Sequence, residues 1–209
     1  MKKRLVSAIM LAAVLGLAAC AESDGNRTNE KKLSKKYADL DNRSFKYDGH
    51  LYTLGVSKLQ DFLDNGVVFN EEDDYDKVFQ RKLTGDLSFD RFYYTVNEGD
   101  DGFFFVNPVD SNVPKRDCIL AIVECNSFDD VRKGKDNKFS FAFPLTLTKD
   151  MLFKNSGEPT GRLPEFDGNQ IYSYLYNVAS ENFPEHESGY NFLFYDDVTL
   201  GGVSISWLP

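Results

Sequence analysis

The chain is poor in the residues from which small folds are stapled or reactions are run. Its 209 residues hold three cysteines, two histidines, one tryptophan and three methionines. So few cysteines exclude a disulfide-built scaffold, which uses several bridges to compensate for a small core. Cys118 and Cys125 flank the apolar run 119–124, which reads as a central strand. At about 3.3 Å per residue they stand roughly 23 Å apart, beyond the roughly 7 Å limit for a bridge. Their odd spacing sends them to opposite faces of a sheet. Both read as buried small hydrophobes.

The scarcity of histidine limits acid–base and metal chemistry. His50 sits beside a turn and His186 in an acidic loop, and both read as solvated loop residues. Zinc needs three or four converging ligands, and no spacing of that kind is present. There is no G-x-S-x-G elbow, phosphate-binding loop or dinucleotide fingerprint; Gly201-Gly202-Val203-Ser204 reads as a turn leading into a strand. The acidic segment 70–76 lacks the glycine that turns a calcium loop and reads as a solvated loop or helix start. The expectation is a protein with no catalytic residues, no metal and no cofactor.

Long hydrophobic runs are confined to the N-terminus. Lys2, Lys3 and Arg4 precede the apolar run 5–17, which is short of the roughly 20 residues that span a bilayer and has the dimensions of a secretory signal. The run ends Leu17-Ala18-Ala19-Cys20, which resembles the lipobox of bacterial lipoproteins. That resemblance implies a lipoprotein signal peptide at 1–19 and a diacylglyceryl group on Cys20. The exported protein would then be held at the cell membrane or envelope by acyl chains, each buried CH₂ contributing about 0.8 kcal/mol. Losing the three cations of the leader takes the formal net charge from −9 to −12. Such an excess argues against nucleic acid, and against adhesion to anionic lipid through a basic patch. Residues 21–36 are polar, so 20–36 reads as a lipidated flexible tether, with the globular part outside the cytoplasm.

What the chain has in abundance is aromatics, 18 Phe and 11 Tyr, and one stretch written twice. Tyr52-Thr53-Leu54-Gly55-Val56-Ser57-Lys58, running on to Gly66, returns as Phe143-Pro144-Leu145-Thr146-Leu147-Thr148-Lys149, running on to Gly157. The offset is 91 at each anchor. Each copy reads as a strand end, a helix of about two turns and a glycine stop. Ser57 and Thr148 are the expected N-caps, with Gln60 completing a capping box in the first copy. Leu59, Phe62 and Leu63 share one face, as do Met151 and Leu152. Helices this short are unstable alone and need a sheet to lean on.

Around each copy the grammar is a lead strand, the helix and three strands. Asp48-Gly49 marks a hairpin turn in the first lead segment. Residues 91–96, 103–106 and 118–125 follow as strands. After a polar, charged stretch at 127–138, Phe139, Phe141 and Phe143 alternate as the second lead strand. Residues 171–176, 190–195 and 203–207 supply three more. The expected fold is α+β: two tandem units, 37–127 and 128–209, each a short helix packed on an antiparallel sheet.

Residues 148–207, through Thr148-Lys149-Asp150, Ser156-Gly157-Glu158-Pro159, Tyr174-Leu175-Tyr176 and Phe192-Leu193-Phe194, resemble the modules of β-lactamase-inhibitor-protein-like domains and of small outer-membrane assembly lipoproteins. The doubled unit also resembles lipoproteins of gut Firmicutes. This likeness implies a binding sheet without catalysis. Tyr172, Tyr174 and Tyr176 share one strand face, and Phe192 and Phe194 another; these five are the candidate partner-binding residues, with core filling as the alternative. The expected function is a membrane-anchored binding module for a protein or peptide. An envelope structural or assembly factor and an enzyme on envelope polymers stand as alternatives.

Overall fold

A computed structural model describes residues 32–79, 91–97, 101–107, 112–134, 136–163, 171–180, 186–196 and 198–208. The expected signal peptide, Cys20 and the tether as far as residue 31 lie outside the described residues.

Asp48 and Gly49 both take positive φ, 49° and 82°, as a type I′ turn requires. They fold β1 (Ser44–Tyr47) onto β2 (His50–Thr53) with Tyr47 opposite His50. The chain continues through α1 (Leu59–Asp64), β3 (Val78–Phe79), β4 (Phe92–Val96), β5 (Asp101–Val106) and β6 (Val113–Pro114). A 3₁₀ turn (Lys115–Asp117) precedes β7 (Ile119–Cys125), α2 (Phe128–Arg132), β8 (Phe139–Ser140) and α3 (Lys149–Ser156). The last strands are β9 (Gly161–Leu163), β10 (Ile171–Ala179), β11 (Glu187–Tyr195) and β12 (Thr199–Ser206). The class is α+β, dominated by strand.

Seven strands form one antiparallel sheet in the order β4-β5-β7-β12-β11-β10-β9. Its middle is the pairing of β7 with β12, where Val123 lies opposite Ile205. A second sheet, β2-β1-β8, sets Tyr47 opposite Phe139, and β3 pairs with β6. Strands from 37–127 and from 128–209 thus share both of the larger sheets.

Aromatic rings fill one side of the seven-stranded sheet. Phe45, Phe62, Phe103, Phe105, Phe192 and Phe194 are fully buried in a single cluster, each worth about 1.5–3 kcal/mol on removal from water. Phe139, Phe141 and Phe143 stack nearly parallel, with centroids 5.8 and 4.9 Å apart. Their alternation is as expected, although only Phe139 lies in a paired strand.

The repeated helices differ at their starts, and both end at a positive-φ glycine. In α3 the Thr148 hydroxyl accepts the Met151 N–H at 3.3 Å, as expected of an N-cap. In α1 the cap falls one residue later than expected: the Lys58 N–H donates to Asp61 Oδ2 at 2.8 Å. Ser57 instead accepts the Thr53 N–H within the buried turn, and Gln60 reaches Asp64. An acidic side chain at the third helical position competes well because the helix start favours negative charge. Gly66, at φ 76°, closes α1: its N–H donates to the Leu63 carbonyl, and that of Val67 to the Phe62 carbonyl. This is a complete Schellman motif. Gly157, at φ 86°, donates to the Phe153 carbonyl at 2.9 Å. Leu59, Phe62 and Leu152 are buried as expected, but Met151 points outward at 38% exposure, and Phe153 packs on Tyr174 in its place.

Three segments expected to be loose are built in. Asn155 holds the Tyr37 N–H and donates to the Lys35 carbonyl, while Ser156 holds the Ala38 N–H. The end of α3 therefore clasps residues 35–38, so the last part of the stretch expected to be a flexible tether is held against the fold. The charged stretch 127–138 contains α2, seated by the fully buried Phe128. In the acidic stretch 70–76, Glu71 accepts the Thr95 N–H and hydroxyl, and Asp73 accepts the Tyr94 hydroxyl and pairs with Lys115.

Candidate functional site: the second face of the sheet

Two bulges decide which side chains reach which face. Phe105 lies opposite Leu120 and Phe104 opposite Ile122, so Ala121 is the extra residue in β7. An inserted residue reverses strand parity. Cys118, Leu120, Val123 and Cys125 consequently all belong to the buried cluster, and the expectation that the cysteines face opposite ways is corrected. Both thiols are free and buried, and burial pushes Cys118 up to about 12, which makes it a poor nucleophile. In β12 the extra residue is Gly201, since Leu193 faces Gly202 and Phe194 faces Leu200.

The candidate partner-binding aromatics lie on the core side. Tyr174 is 3% exposed, Tyr176 4%, and Phe192 and Phe194 are fully buried. Tyr176 donates its hydroxyl proton to the Gly157 carbonyl at 2.8 Å. Tyr172 is part-buried against the same cluster, beneath the Arg162 guanidinium at 4.8 Å. Four of the five are therefore core, not an exposed surface. Alternation grouped the residues of each strand, and the pairing of Tyr172 with Phe194 and of Tyr174 with Phe192 puts both groups on the same face. Alternation could not say which face the helices cover.

The residues available to a partner are those in between. The buried side chains of the described helices, Leu59, Phe62, Phe128 and Leu152, all join the core on the other side. On the second face one cross-strand row runs Tyr93, Phe104, Ile122, Ser206, and the next runs Thr95, Gly102, Glu124, Ser204, Asn191, Leu175. Apart from Gly102, which is buried, these are all part-exposed. Tyr93 stacks on Phe104 at 4.2 Å and 27°. Its ring also covers Gly102, where an added Cβ would lie 2.5 Å from the ring carbons. Tyr195 lies over Gly201 in the same manner, at 2.4 Å. Glycine at these positions lets a ring lie flat on the backbone. One end of the face is closed by Trp207, which packs with Val106, Ile119 and Ala121.

The electrostatics of this face centre on Glu124. Its partial burial raises the carboxyl pKa, and the charge of Arg91 offsets part of that rise. The Arg91 guanidinium carbon stands 5.0 Å above the Phe104 ring, a cation–π distance. Asn191 contributes a buried amide oxygen that receives no hydrogen bond. Asp101, which lies outside the strands expected from sequence, is different: it is fully buried and fully satisfied. Its Oδ1 accepts the N–H groups of Asn126 and Ser127 at 2.7 and 3.1 Å, and its Oδ2 accepts from Ser127 Oγ and Asn97 Nδ2 at 2.6 and 2.7 Å. It locks the start of β5 to the start of α2.

His50 is exposed on its hairpin, and the His186 backbone carbonyl accepts the Ser180 N–H. Among the described residues no cluster of three or more His, Cys, Asp or Glu could hold a metal. What the second face offers chemically is area: part-exposed rings and aliphatic side chains around a small polar centre. Comparison with known protein families, with curated proteins and with solved structures finds no match.

Proposed function

We propose that the protein is an exported lipoprotein, anchored through Cys20, that binds a protein or peptide on the second face of its seven-stranded sheet and performs no catalysis. The observation that carries this reading is the face itself. Tyr93, Phe104 and Ile122 lie part-exposed on β4, β5 and β7, Leu175 and Leu193 on β10 and β11 beyond β12, and no described helix packs over them. Part-exposed rings and aliphatic side chains beside a few polar groups are a composition suited to a docking surface. Tyrosine and phenylalanine supply that area with few rotatable bonds to order.

The duplicated grammar supports the reading. Each stretch supplies a helix closed by a positive-φ glycine, and to the seven-stranded sheet 37–127 gives three strands and 128–209 gives four, the second stretch also carrying α2. The last strands of the two stretches pair as β7 and β12. We read this as two tandem units fused edge to edge, which makes a sheet wide enough for a protein partner. Anchoring rests on the lipobox resemblance of Leu17-Ala18-Ala19-Cys20.

The test is capture of partners by the tagged full chain, cross-linked in its native envelope. One stoichiometric protein is expected, and it should be lost when Ile122 and Leu193 are both changed to Asp in a chain that keeps its native circular dichroism. An unchanged set of captured proteins, or none from the parent chain, overturns the binding face. Changing Cys20 to Ser should release the protein from the membrane fraction and abolish labelling by a fatty-acid probe. Retention without label would overturn the anchor.

A further inference from the structure

We infer that the centre of the second face, from Glu124 to Asn191, receives a cationic side chain, arginine or lysine, presented by the bound partner. This rests on the binding-face reading above and names what that face recognises.

Glu124 on β7 lies opposite Ser204 on β12, and Ser204 lies opposite Asn191 on β11. A carboxylate, a hydroxyl and an amide are thereby aligned across three adjoining strands at the middle of the sheet. On the other side of Glu124 the neighbour is Gly102, whose place above the sheet is taken by the Tyr93 ring. The carboxylate therefore sits between an aromatic wall and a polar row.

The charged member of that row is an acceptor, because an ionised carboxylate only accepts. The part-exposed Ser204 and Asn191 side chains place further polar groups beside it. An apolar partner surface closing over Glu124 would strand it, whereas a guanidinium or ammonium group brings donors and the opposite charge. The chain supplies no such cation from the strands concerned: β7, β10, β11 and β12 contain neither lysine nor arginine. Its formal net charge of −9 favours the approach of a basic partner. The rim already shows the chemistry, since Arg91 lays its guanidinium on Phe104 and acts electrostatically on Glu124. The partner's cation takes the inner position, on the side of Glu124 toward Ser204 and Asn191.

The experiment is titration of the full chain, held in non-ionic detergent at low ionic strength, with fluorescein-labelled hexa-arginine, read by anisotropy. Glu124→Gln, close to isosteric, is expected to weaken binding about tenfold or more. Glu72→Gln removes the same charge from an exposed site on the acidic segment and should change affinity by less than about twofold. Asn191→Asp, which adds a second carboxylate to the row, should tighten binding severalfold; this gain keeps the test decisive if Glu124→Gln unsettles the fold. Equal losses for the Glu124 and Glu72 variants, unchanged binding by Glu124→Gln, or no binding by the parent chain overturns the inference. If Glu124→Gln still captures the envelope partner in full yield while the Ile122/Leu193 double variant does not, the binding face stands and the cation site falls. If neither variant alters capture, both fall.

Discussion

The indole of Trp207 rests on Gly55, so close that a Cβ on residue 55 would lie 2.8 Å from the Cδ2 and Cε2 carbons. Two hydrogen bonds to adjacent residues of β7 fix this contact: the Gly55 N–H donates to the Leu120 carbonyl at 2.8 Å, and the Trp207 N–H to that of Ala121 at 2.7 Å. The approach to α1 and the end of β12 are thereby pinned to the same place on β7.

Gly55→Ala should therefore be among the most destabilising single-methyl changes in the chain. Residue 55 has φ +77°, a conformation that costs a side-chain-bearing residue about 1–2 kcal/mol, and the methyl must also displace a packed indole, adding about 1–3 kcal/mol. A loss of roughly 2–5 kcal/mol is expected from those two sources together. Urea unfolding followed by fluorescence measures it directly, because Trp207 is the single tryptophan. Gly49→Ala is the comparison: its φ is +82° but nothing lies within 4 Å of the added carbon, so only the backbone part should appear. Equal losses at the two sites would show that the indole contact carries no energy.

Much of this architecture could be read from residue order, and the parts that could not share a cause. Local signals transmitted well. Asp48-Gly49 specified its hairpin, Gly66 and Gly157 ended their helices, and the alternating Phe and Tyr residues marked the strands. Signals that depend on a distant partner did not. Ser57 looked like a cap, but the folded chain uses its hydroxyl to hold the Thr53 N–H and leaves capping to Asp61. The cysteines were placed on opposite faces because the bulge at Ala121, imposed by pairing with β5, is invisible in the run 119–124. The same limit governs the candidate site. Alternation grouped Tyr174 with Tyr176 and Phe192 with Phe194, but only the packing of α1 and α3 determines that the face they share is interior. Glu124 carried no signal of its own within an apolar strand, and its significance comes from Ser204 and Asn191 across the sheet.

Asp73 provides a pH-dependent test of how firmly the acidic segment is held. Burial pushes its carboxyl upward, but the hydrogen bonds and charge from Lys115 and the hydroxyl of Tyr94 outweigh that and bring it below the ordinary 3.8. A carboxylate depressed by folding contributes stability above its unfolded pKa, and that contribution disappears as pH falls through the folded value. Asp73→Asn is expected to lose about 1.5–3 kcal/mol at neutral pH, the range for a hydrogen bond to a charged group. The gap to the parent chain should narrow below about pH 4 as the parent's own Asp73 becomes protonated. Urea midpoints measured from pH 7 to pH 3 decide the matter. A gap constant across that range would mean that the ion pair with Lys115 adds nothing.

The alkaline limb should be set by groups that the core keeps protonated. Burial raises Cys118 to about 12, against an ordinary 9.0, and raises Cys125 further, with Asp101 adding to the rise. Tyr47 is carried from 10.0 to about 12, chiefly by burial and then by the charges of Asp48 and Asp101. In the unfolded chain these groups ionise first, so above about pH 9 the unfolded state binds fewer protons than the folded one and stability falls as pH rises. Their contribution is complete below the unfolded values and is lost progressively toward pH 12. Denaturation midpoints should accordingly decline from about pH 9 upward. Replacing Cys125 with Ser, which keeps the side chain small but removes the titrating thiol, should flatten the first part of that decline at some loss of overall stability. The same burial predicts that iodoacetamide at pH 8 leaves Cys118 and Cys125 unmodified in the folded protein and alkylates both in urea, as read by peptide mapping. Labelling of Cys125 in the native chain would place β7 at an accessible edge of the sheet, and the pairing of β7 with β12 that creates the second face could not hold.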